Sequence, residues 1–516
     1  MVSGAKALWQ ALQGQGVQVC FANPGTTELD LVRGVEGDEG LRCVLGLQEN
    51  VCTGAADGYG RMAGHAAATL LHLGPGFANG IANLHNARRA RTPIVNVVGD
   101  HMTWHLPYDA PLTCDIESLA SPVSGWVHRI TDAADVRPAA REAVRQSLAQ
   151  GGQGSTLIFP ADVQAQNCPD SPAAAPQALA PPADPAWDAQ SVAKRLRQAR
   201  APLFLLGGGG DLSALSARGQ RAVARLLGVL GGSAYAETFP SRAERGAGLP
   251  AFDRLPYFPE PARAVLDAAD LVVLVGALAP ITYFGYPGHP SALVASDRQW
   301  VLSLPGEDAV TRLERLVDVL QAPAYSPTLF ALAPPEAGEL TPARIGQTLT
   351  RLLPEGAIVS VEGGTCGYPF YAASAAAAAH TTLTNTGGAI GQGLPVALGA
   401  AIACPGRQVV ALVSDGSTQY TVQTLWTIAH EQLPVVILIA ANHQYGILRN
   451  ELRRGQASLG EKSLALTSLD NPRIDWVALA QGYGVRACRV GQVQALETAL
   501  REGFAQSGPL LIEMTL

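Results

Sequence analysis

Short apolar runs without charge on either face recur along the whole chain, and most are followed by helical patterns. The clearest run, QVVALV, ends at Val413, and apolar residues then recur at helical spacing: Val422, Leu425, Trp426 and Ala429. A strand that is apolar on both faces lies in the interior of a parallel sheet covered by helices. The alternation therefore predicts an α/β protein built on parallel sheets.

The same pattern places predicted strands in three groups. The first group is VQVCFAN, RCVLGL, AATLLHL, PIVNVVGD and STLIFP, the second is APLFLLGGG, LVVLVGA and WVLSL, and the third is AIVSVEGG, TTLTNT, QVVALVSDG, LPVVILIAANH and LLIEMTL. Two stretches rich in Pro and Ala, Cys168–Trp187 and Ala322–Pro342, separate the groups. They divide the chain into predicted domains at 1–167, 188–321 and 343–516, each with a mainly parallel sheet flanked by helices.

The composition excludes several classes of function. Charged residues make up only 15% of the chain and the formal net charge is -7, with no cluster of Lys or Arg. This argues against nucleic acid and anionic membranes as partners, and the low charge favours burial in an oligomer. The eight cysteines form no CxxC pair. We expect reduced thiols, no signal peptide, no membrane span and a cytoplasmic location.

A single carboxylate, Asp415, follows the strand QVVALV in the turn SDGST. Ligands of open α/β sheets bind beyond the carboxyl ends of the strands. Asp415 is either a helix N-cap or a ligand of a divalent cation such as Mg²⁺ that bridges to a diphosphate. Taken alone, the turn favours the N-cap. Asn442 lies 27 residues later, just past the next apolar strand, and this pairing favours the Mg²⁺–diphosphate site, although Asn442 and His443 also suit an ordinary turn.

Five motifs together resemble one family. They are FANPGTTELDL, LQENVCTGAADGYGR, NTGGAIGQGLP, SDGSTQYTVQTLW and NHQYGILR. They are similar to motifs of thiamine diphosphate-dependent enzymes, in the pyruvate-oxidase-like branch that includes acetolactate synthase and benzoylformate decarboxylase. The resemblance covers essentially the whole chain and implies pyrimidine-binding, middle and diphosphate-binding domains in that order. Ser414 departs from the usual Gly of the acidic turn.

The resemblance implies a cofactor site in the third domain. The metal ligands would be Asp415, Asn442 and the backbone carbonyl of Gln444. The carbonyl of Gly388 would accept a hydrogen bond from the cofactor's amino group, and Ile390 would hold its two rings bent. The residues lining the diphosphate would be Thr365, Gly416, Ser417, Tyr445, Gly446 and Ile447.

The resemblance also implies catalytic residues in the first domain. Glu49 would activate the cofactor through its pyrimidine nitrogen, His72 would transfer protons near the substrate, and Thr26 would engage the substrate carboxylate. Each has an ordinary alternative: Glu49 as a glutamate at a helix start, His72 as a structural histidine, and Thr26 as a turn residue. His85, His101 and His105 receive no role.

These roles imply a thiamine diphosphate- and Mg²⁺-dependent lyase or ligase that acts on a 2-oxo acid. A decarboxylase is the leading prediction, because HQYGILR is closer to the decarboxylase pattern. The alternatives are a carboligase resembling acetolactate synthase and a catalytically degenerate cofactor-binding subunit. No FAD is expected, and the run LLGGGGDL lacks the GxGxxG pattern of a dinucleotide site. Since the family's cofactor lies between the first domain of one subunit and the third domain of its partner, the resemblance implies an obligate homodimer, assembled further into a homotetramer.

Glu451 stands where benzoylformate decarboxylase has an aromatic residue in its substrate pocket. One possibility is that Arg449, Arg453 or Arg454 draws Glu451 into a surface ion pair. The other is that Glu451 faces the substrate pocket. In either case benzoylformate is predicted to be a poor substrate.

Overall fold

A computed structural model gives the fold and describes residues 1–37, 39–169, 187–332, 334–455 and 458–516. Parallel sheets flanked by helices form the architecture, so the predicted α/β class is confirmed. Most of the first predicted linker, residues 170–186, lies outside the described residues. The described part of the second linker between residues 322 and 341 contains neither helix nor strand.

The first sheet lies in the N-terminal part of the chain. Its strands, with a short terminal pair, are β1 Val2–Ser3, β2 Val19–Asn23, β3 Arg42–Leu45, β4 Ala67–His72, β5 Ile94–Asp100, β6 Trp126–Arg129, β7 Gly154–Pro160 and β8 Asn167–Cys168. The helices are α1 Gly4–Gly14, α2 Leu29–Gly34, α3 Glu49–Ala63, α4 Leu73–Ala90, α5 Ile116–Ala120, α6 Val136–Ser147 and α7 Ala161–Gln164. The strand order is β3-β2-β4-β5-β7-β6, all parallel, and β1 pairs with β8.

The second sheet lies in the middle of the chain. The strands in this stretch of the sequence are β9 Pro202–Leu206, β10 Ser233–Ala236, β11 Arg242–Arg245, β12 Asp253–Arg254, β13 Leu271–Val275 and β14 Gln299–Ser303. The helices are α8 Ala189–Gln198, α9 Ala217–Leu230, α10 Pro259–Asp267 and α11 Ala309–Val319. The sheet order is β12-β10-β9-β13-β14, all parallel.

The third sheet lies in the C-terminal part. Its strands are β15 Ile358–Val361, β16 His380–Thr384, β17 Val409–Ser414, β18 Val435–Ala441, β19 Arg486–Val490 and β20 Leu510–Thr515. The helices are α12 Pro342–Leu352, α13 Gly364–Ala373, α14 Gly393–Ala403, α15 Asp415–Thr418, α16 Thr424–His430, α17 Gly446–Arg454, α18 Glu461–Ala465, α19 Trp476–Gly482 and α20 Val493–Ala505. The order is β11-β16-β15-β17-β18-β20-β19. The first member, β11, comes from the middle of the chain and pairs antiparallel with β16.

Helices α3 and α14 hold the first and third sheets together. Glycines at their contact let the two backbones approach closely: a Cβ on Gly58 would lie 2.1 Å from the Val396 carbonyl oxygen, and one on Gly399 would lie 1.9 Å from the Ala55 carbonyl oxygen. Neither position tolerates a side chain without movement of the backbone. This contact places the start of α3 and the loop before α14 in the same interior region.

A helix crosses a bilayer only if it is both long and apolar. None of the described helices meets both requirements.

Candidate active site

Glu49 and His72 lie close together at the carboxyl edge of the first sheet. Glu49 begins α3 and is 8% exposed, and its Oε2 accepts a hydrogen bond from Asn79 Nδ2 at 3.0 Å. His72 ends β4. Gly76 lies against both, since a Cβ there would meet Glu49 Oε1 at 3.0 Å and His72 Cβ at 3.2 Å. The Glu49 carboxylate and the His72 Cβ therefore border one space, which a larger residue at position 76 would fill.

Glu28 holds the imidazole of His72. The two side chains meet at 2.7 Å between His72 Nδ1 and Glu28 Oε2, and Glu28 is fully buried. The backbone N–H of Gly25 donates to the same oxygen at 2.8 Å, and the Thr27 hydroxyl donates to Oε1 at 2.6 Å. An ionised Glu28 would accept a hydrogen bond from the Nδ1–H of His72. This contact fixes the orientation of the ring and leaves Nε2 for another partner.

The neighbouring threonines differ in position. Thr26 is exposed at the start of a 3₁₀ turn, whereas the Thr27 hydroxyl lies 3.3 Å from His72 Nδ1. Thr27 therefore contacts His72, while the exposed Thr26 hydroxyl stays available for the predicted contact with a substrate carboxylate.

Asp415 and Asn442 lie at the ends of adjacent strands in the third sheet. Ser414 pairs with Ala440 across β17 and β18. Asp415 is 1% exposed, and its two oxygens accept backbone N–H groups of Gly416 at 2.8 Å and His443 at 2.7 Å. Burial raises the pKa of Asp415, and these donors partly oppose that rise. The carboxylate is thus oriented at the sheet edge by backbone donors.

Thr365 joins this group from the start of α13. Asn442 Nδ2 donates to Thr365 Oγ1 at 3.1 Å, while Asn442 Oδ1 accepts the backbone N–H of Gln444 at 3.1 Å. The Gln444 carbonyl accepts the N–H of Gly446 at 3.0 Å, and its side chain accepts a hydrogen bond from Arg449. The structure therefore brings four predicted residues together at this edge: Thr365, Asn442 and Gln444 share hydrogen bonds, and Asp415 is linked to them through the backbone N–H of His443.

The remaining residues predicted to line the diphosphate surround the same edge. A Cβ on Gly416 would lie 2.7 Å from the Tyr445 ring, so the residue there must be small. Ser417 Oγ donates to the Ser414 carbonyl at 3.1 Å. Helix α17 begins at Gly446 without a side-chain cap, and Ile447 in its first turn is 52% exposed. An uncapped helix start with a small residue suits an anion.

The loop before α14 carries Gly388 and Ile390. Gly388 has φ +79°, and a Cβ there would meet the Tyr283 hydroxyl at 2.0 Å. His85, which has no predicted role, contacts the Gly387 carbonyl through Nε2 at 3.1 Å. The loop thus lies where all three parts of the chain meet.

The Glu451 side chain contacts a residue from the middle part of the sequence. Its Oε1 accepts a hydrogen bond from the Tyr286 hydroxyl at 3.1 Å, and its Oε2 lies 3.9 Å from Arg454 Nη1. Arg454 also contacts Glu260 and lies over the Tyr286 ring at 4.4 Å. Of the three arginines considered, Arg454 is the one beside Glu451.

In the part of the chain that the structure describes, no hydrogen bond or ion pair joins Glu49 or His72 to the group around Asp415. His101 and His105 lie after β5 with ring centroids 5.4 Å apart, and neither touches the residues above through a described hydrogen bond. One chain therefore presents two sets of polar residues, one on each of two sheets.

Comparisons with known proteins match the two parts of the chain that carry these sets. The N-terminal domain model of thiamine pyrophosphate enzymes matches residues 2–119, and their C-terminal TPP binding domain model matches residues 353–514. A Mycobacterium tuberculosis protein named "Putative acetolactate synthase large subunit IlvX" is 46% identical, with 100% of this chain and 99% of the relative aligned. Benzoylformate decarboxylase of Pseudomonas aeruginosa is 30% identical, with 98% of each covered.

The chain belongs to the thiamine pyrophosphate enzyme family. The predicted resemblance is confirmed. Among solved structures, the thiamine diphosphate-dependent 4-hydroxybenzoylformate decarboxylase of Rhodococcus jostii RHA1 superposes with a TM-score of 0.86 at 25% identity, with 100% of this chain and 99% of that chain covered. This thiamine pyrophosphate enzyme is accordingly of the 2-oxo acid decarboxylase or carboligase class.

The polar residues of this thiamine pyrophosphate enzyme fit a diphosphate and a divalent cation. Among the described residues no cluster of three or more His, Cys, Asp or Glu could hold a metal. A cation at Asp415 would therefore depend on one carboxylate, amide and carbonyl oxygens, and phosphate oxygens. That donor set suits Mg²⁺, which is bound through one or two carboxylates together with substrate phosphates.

Two buried carboxylates of this enzyme escaped the sequence reasoning. Glu28 follows two threonines and reads as an ordinary first-turn glutamate. Glu362 follows β15 and reads as the start of a turn. The only local signal was position, because each stands just past a strand end where ligand sites form.

Proposed function

We propose that this protein is a thiamine diphosphate- and Mg²⁺-dependent decarboxylase of a 2-oxo acid. The observation that carries the proposal is the contact between His72 and Glu28 beside Glu49. A decarboxylase must deliver a proton to the carbon that loses CO₂. An imidazole oriented by a buried carboxylate, with Nε2 directed away from it, suits that step.

In this proposal, residues of the third sheet bind the metal and residues of the first sheet act on the cofactor and substrate. Asp415, Asn442 and the Gln444 carbonyl would hold Mg²⁺. The cofactor, when bound, supplies the stabilised carbanion chemistry that the protein's own side chains lack. Glu49 would hold the proton shared with the cofactor's pyrimidine nitrogen, and its burial would exclude water from that contact. Thr26 would orient the substrate carboxylate by a hydroxyl hydrogen bond, since the Thr27 hydroxyl already donates its one proton to Glu28.

A second candidate is a carboligase, which transfers the decarboxylated unit to another carbonyl compound. It is favoured by the 46% identity to the relative named as an acetolactate synthase large subunit. The third reading, a degenerate cofactor-binding subunit, is disfavoured because Glu49, Asp415 and Asn442 are all present.

The proposal includes a homodimer, assembled into a cytoplasmic homotetramer. Its support is the separation of the two polar sets: Glu49 starts a helix of the first domain, and Asp415 directly follows a strand of the third. Light scattering of the purified protein tests the assembly, and a cofactor-loaded monomer would contradict it.

We further infer that the middle domain takes no FAD. The Glu237 carboxyl accepts the backbone N–H of Gly208 at 2.6 Å in the glycine run after β9. Because a carboxyl oxygen already accepts that N–H, a phosphate would have to displace it from the same donor. A flavin absorbance spectrum in the purified protein would contradict this.

A screen of 2-oxo acids, with and without an acceptor aldehyde, tests the proposed reaction. A decarboxylase should release CO₂ and aldehyde in equal amounts, whereas a carboligase should convert the aldehyde into a hydroxyketone. Absence of CO₂ from every 2-oxo acid, in the presence of cofactor and Mg²⁺, would refute both.

Glu28→Gln tests the His72 contact. The variant should lower kcat by about 100-fold or more, since a general acid–base group contributes about 10²- to 10⁴-fold, with KM little changed. The matched control is Glu336→Gln, because that side chain is 87% exposed and should leave kcat unchanged. Equal kcat values in both variants would show that Glu28 does not support the function of His72.

A further inference from the structure

Glu362 caps a helix that lies far from it in sequence. It follows β15, is 3% exposed, and accepts three backbone N–H groups: those of Gly391 at 2.8 Å and Gln392 at 3.1 Å on Oε1, and that of Gly393 at 2.8 Å on Oε2. These groups open α14, whose own N-cap residue, Gln392, provides no side-chain cap. Since both oxygens accept, the contacts suit an ionised carboxylate at the positive end of a helix.

The same carboxylate reaches the loop before α14 through Asn385. Asn385 Nδ2 donates to Glu362 Oε1 at 3.3 Å and to the Ala389 carbonyl at 2.8 Å. Asn385 Oδ1 accepts the N–H of Gly388 at 2.8 Å. One amide therefore closes the loop on itself and connects it to Glu362.

Asn86 of α4 holds the opposite side of the loop. Its Nδ2 donates to the Ala389 carbonyl at 2.8 Å, and its Oδ1 accepts the Ala389 N–H at 3.2 Å. Both backbone groups of the residue between Gly388 and Ile390 are thus fixed. The first domain and the third domain together leave this loop little freedom.

We propose that Glu362, acting through Asn385 and the N–H groups at the start of α14, is the positioning residue that sets the loop 385–391 for the cofactor. The inference rests on the proposed function, because Gly388 and Ile390 contact a cofactor only if one binds there. Removal of the Glu362 charge should displace the Gly388 carbonyl while leaving Asp415 and Asn442 in place.

The test compares Glu362→Gln with wild type. The amide of glutamine would direct NH₂ protons at backbone N–H groups, and no described side chain replaces the lost acceptor. In the protein without cofactor, hydrogen exchange of the amides in 388–393 should accelerate about 10- to 100-fold, the range for a hydrogen bond to a charged group. At saturating thiamine diphosphate and Mg²⁺, exchange of the thiazolium proton with deuterated solvent should slow by a similar factor, with kcat affected more than substrate KM.

Two further variants keep the test decisive. Glu336→Gln is the control, since its side chain is 87% exposed, and it should change neither exchange rate. If Glu362→Gln fails to fold, Asn385→Ala removes the same link from a partly exposed position and should accelerate amide exchange in the loop.

The outcomes separate this inference from the proposed function. Wild-type protein that binds no thiamine diphosphate in calorimetry would overturn the proposed function and the inference with it. Wild-type protein that binds the cofactor, together with wild-type amide and thiazolium exchange in both Glu362→Gln and Asn385→Ala, would overturn the inference alone.

Discussion

The carboxyl of Glu237 should make the stability of this protein fall as the pH rises. Glu237 follows β10, and desolvation raises its pKa from 4.5 to about 7, against the opposing effects of the Gly208 N–H and of Arg91. The folded state therefore retains this proton at a pH where the unfolded chain has lost it. Below pH 4.5 both states are protonated and the group imposes no cost, and the cost is complete above about pH 7.

The pKa difference sets the size of the effect. The change from 4.5 to about 7, at about 1.36 kcal/mol for each pKa unit, corresponds to about 3 kcal/mol. Part of the Glu237 side chain remains accessible to solvent, which screens the charge. We therefore expect Glu237→Gln to raise the free energy of unfolding by about 1–3 kcal/mol at about pH 8, and to change it little near pH 4.5.

Urea unfolding followed by circular dichroism at several pH values between these limits measures the difference. The control is Glu336→Gln, whose exposed carboxyl should give a curve parallel to wild type. If the stability difference between wild type and Glu237→Gln is the same at both ends of the range, Glu237 does not titrate there and the reasoning is refuted.

Three further predictions concern the active site. Asp415→Ala should weaken thiamine diphosphate binding and make it insensitive to Mg²⁺, because the proposed metal ligand is lost; unchanged binding in calorimetry would contradict the proposed site. Glu49→Gln should keep the fold yet slow thiazolium proton exchange by orders of magnitude in NMR after acid quench; wild-type exchange would disprove its role. Glu451→Phe should improve the use of benzoylformate relative to small aliphatic 2-oxo acids by about 1–3 kcal/mol in kcat/KM, the range for apolar pocket contacts. An unchanged ratio of kcat/KM values for the two substrate classes would show that Glu451, which is hydrogen-bonded to Tyr286, does not face the pocket.

Several features of the fold follow from the sequence because they depend on local patterns. The runs around Val410 and Ile437 are apolar on both faces, and each forms a buried strand of the third sheet. Parallel strands joined by a helix end on the same side of a sheet. Because these two strands are neighbours, Asp415 and Asn442 lie at one edge of the sheet. Strands β1, β6, β8, β10, β11, β12 and β19 were not predicted: they are short and carry polar or exposed residues, so no apolar run marks them.

The tertiary structure alone decided which distant residues meet. Glu28 reaches His72 because β2 and β4 are adjacent, and Glu362 reaches the start of α14 because β15 ends beside it. The strand RAER from the middle of the chain, Arg242–Arg245, completes the edge of the third sheet. Periodicity reports which face of an element is buried, but it carries no information about the partner across a contact. A buried carboxylate and an exposed one at a helix start therefore look alike in the sequence, and only the packed chain distinguishes them.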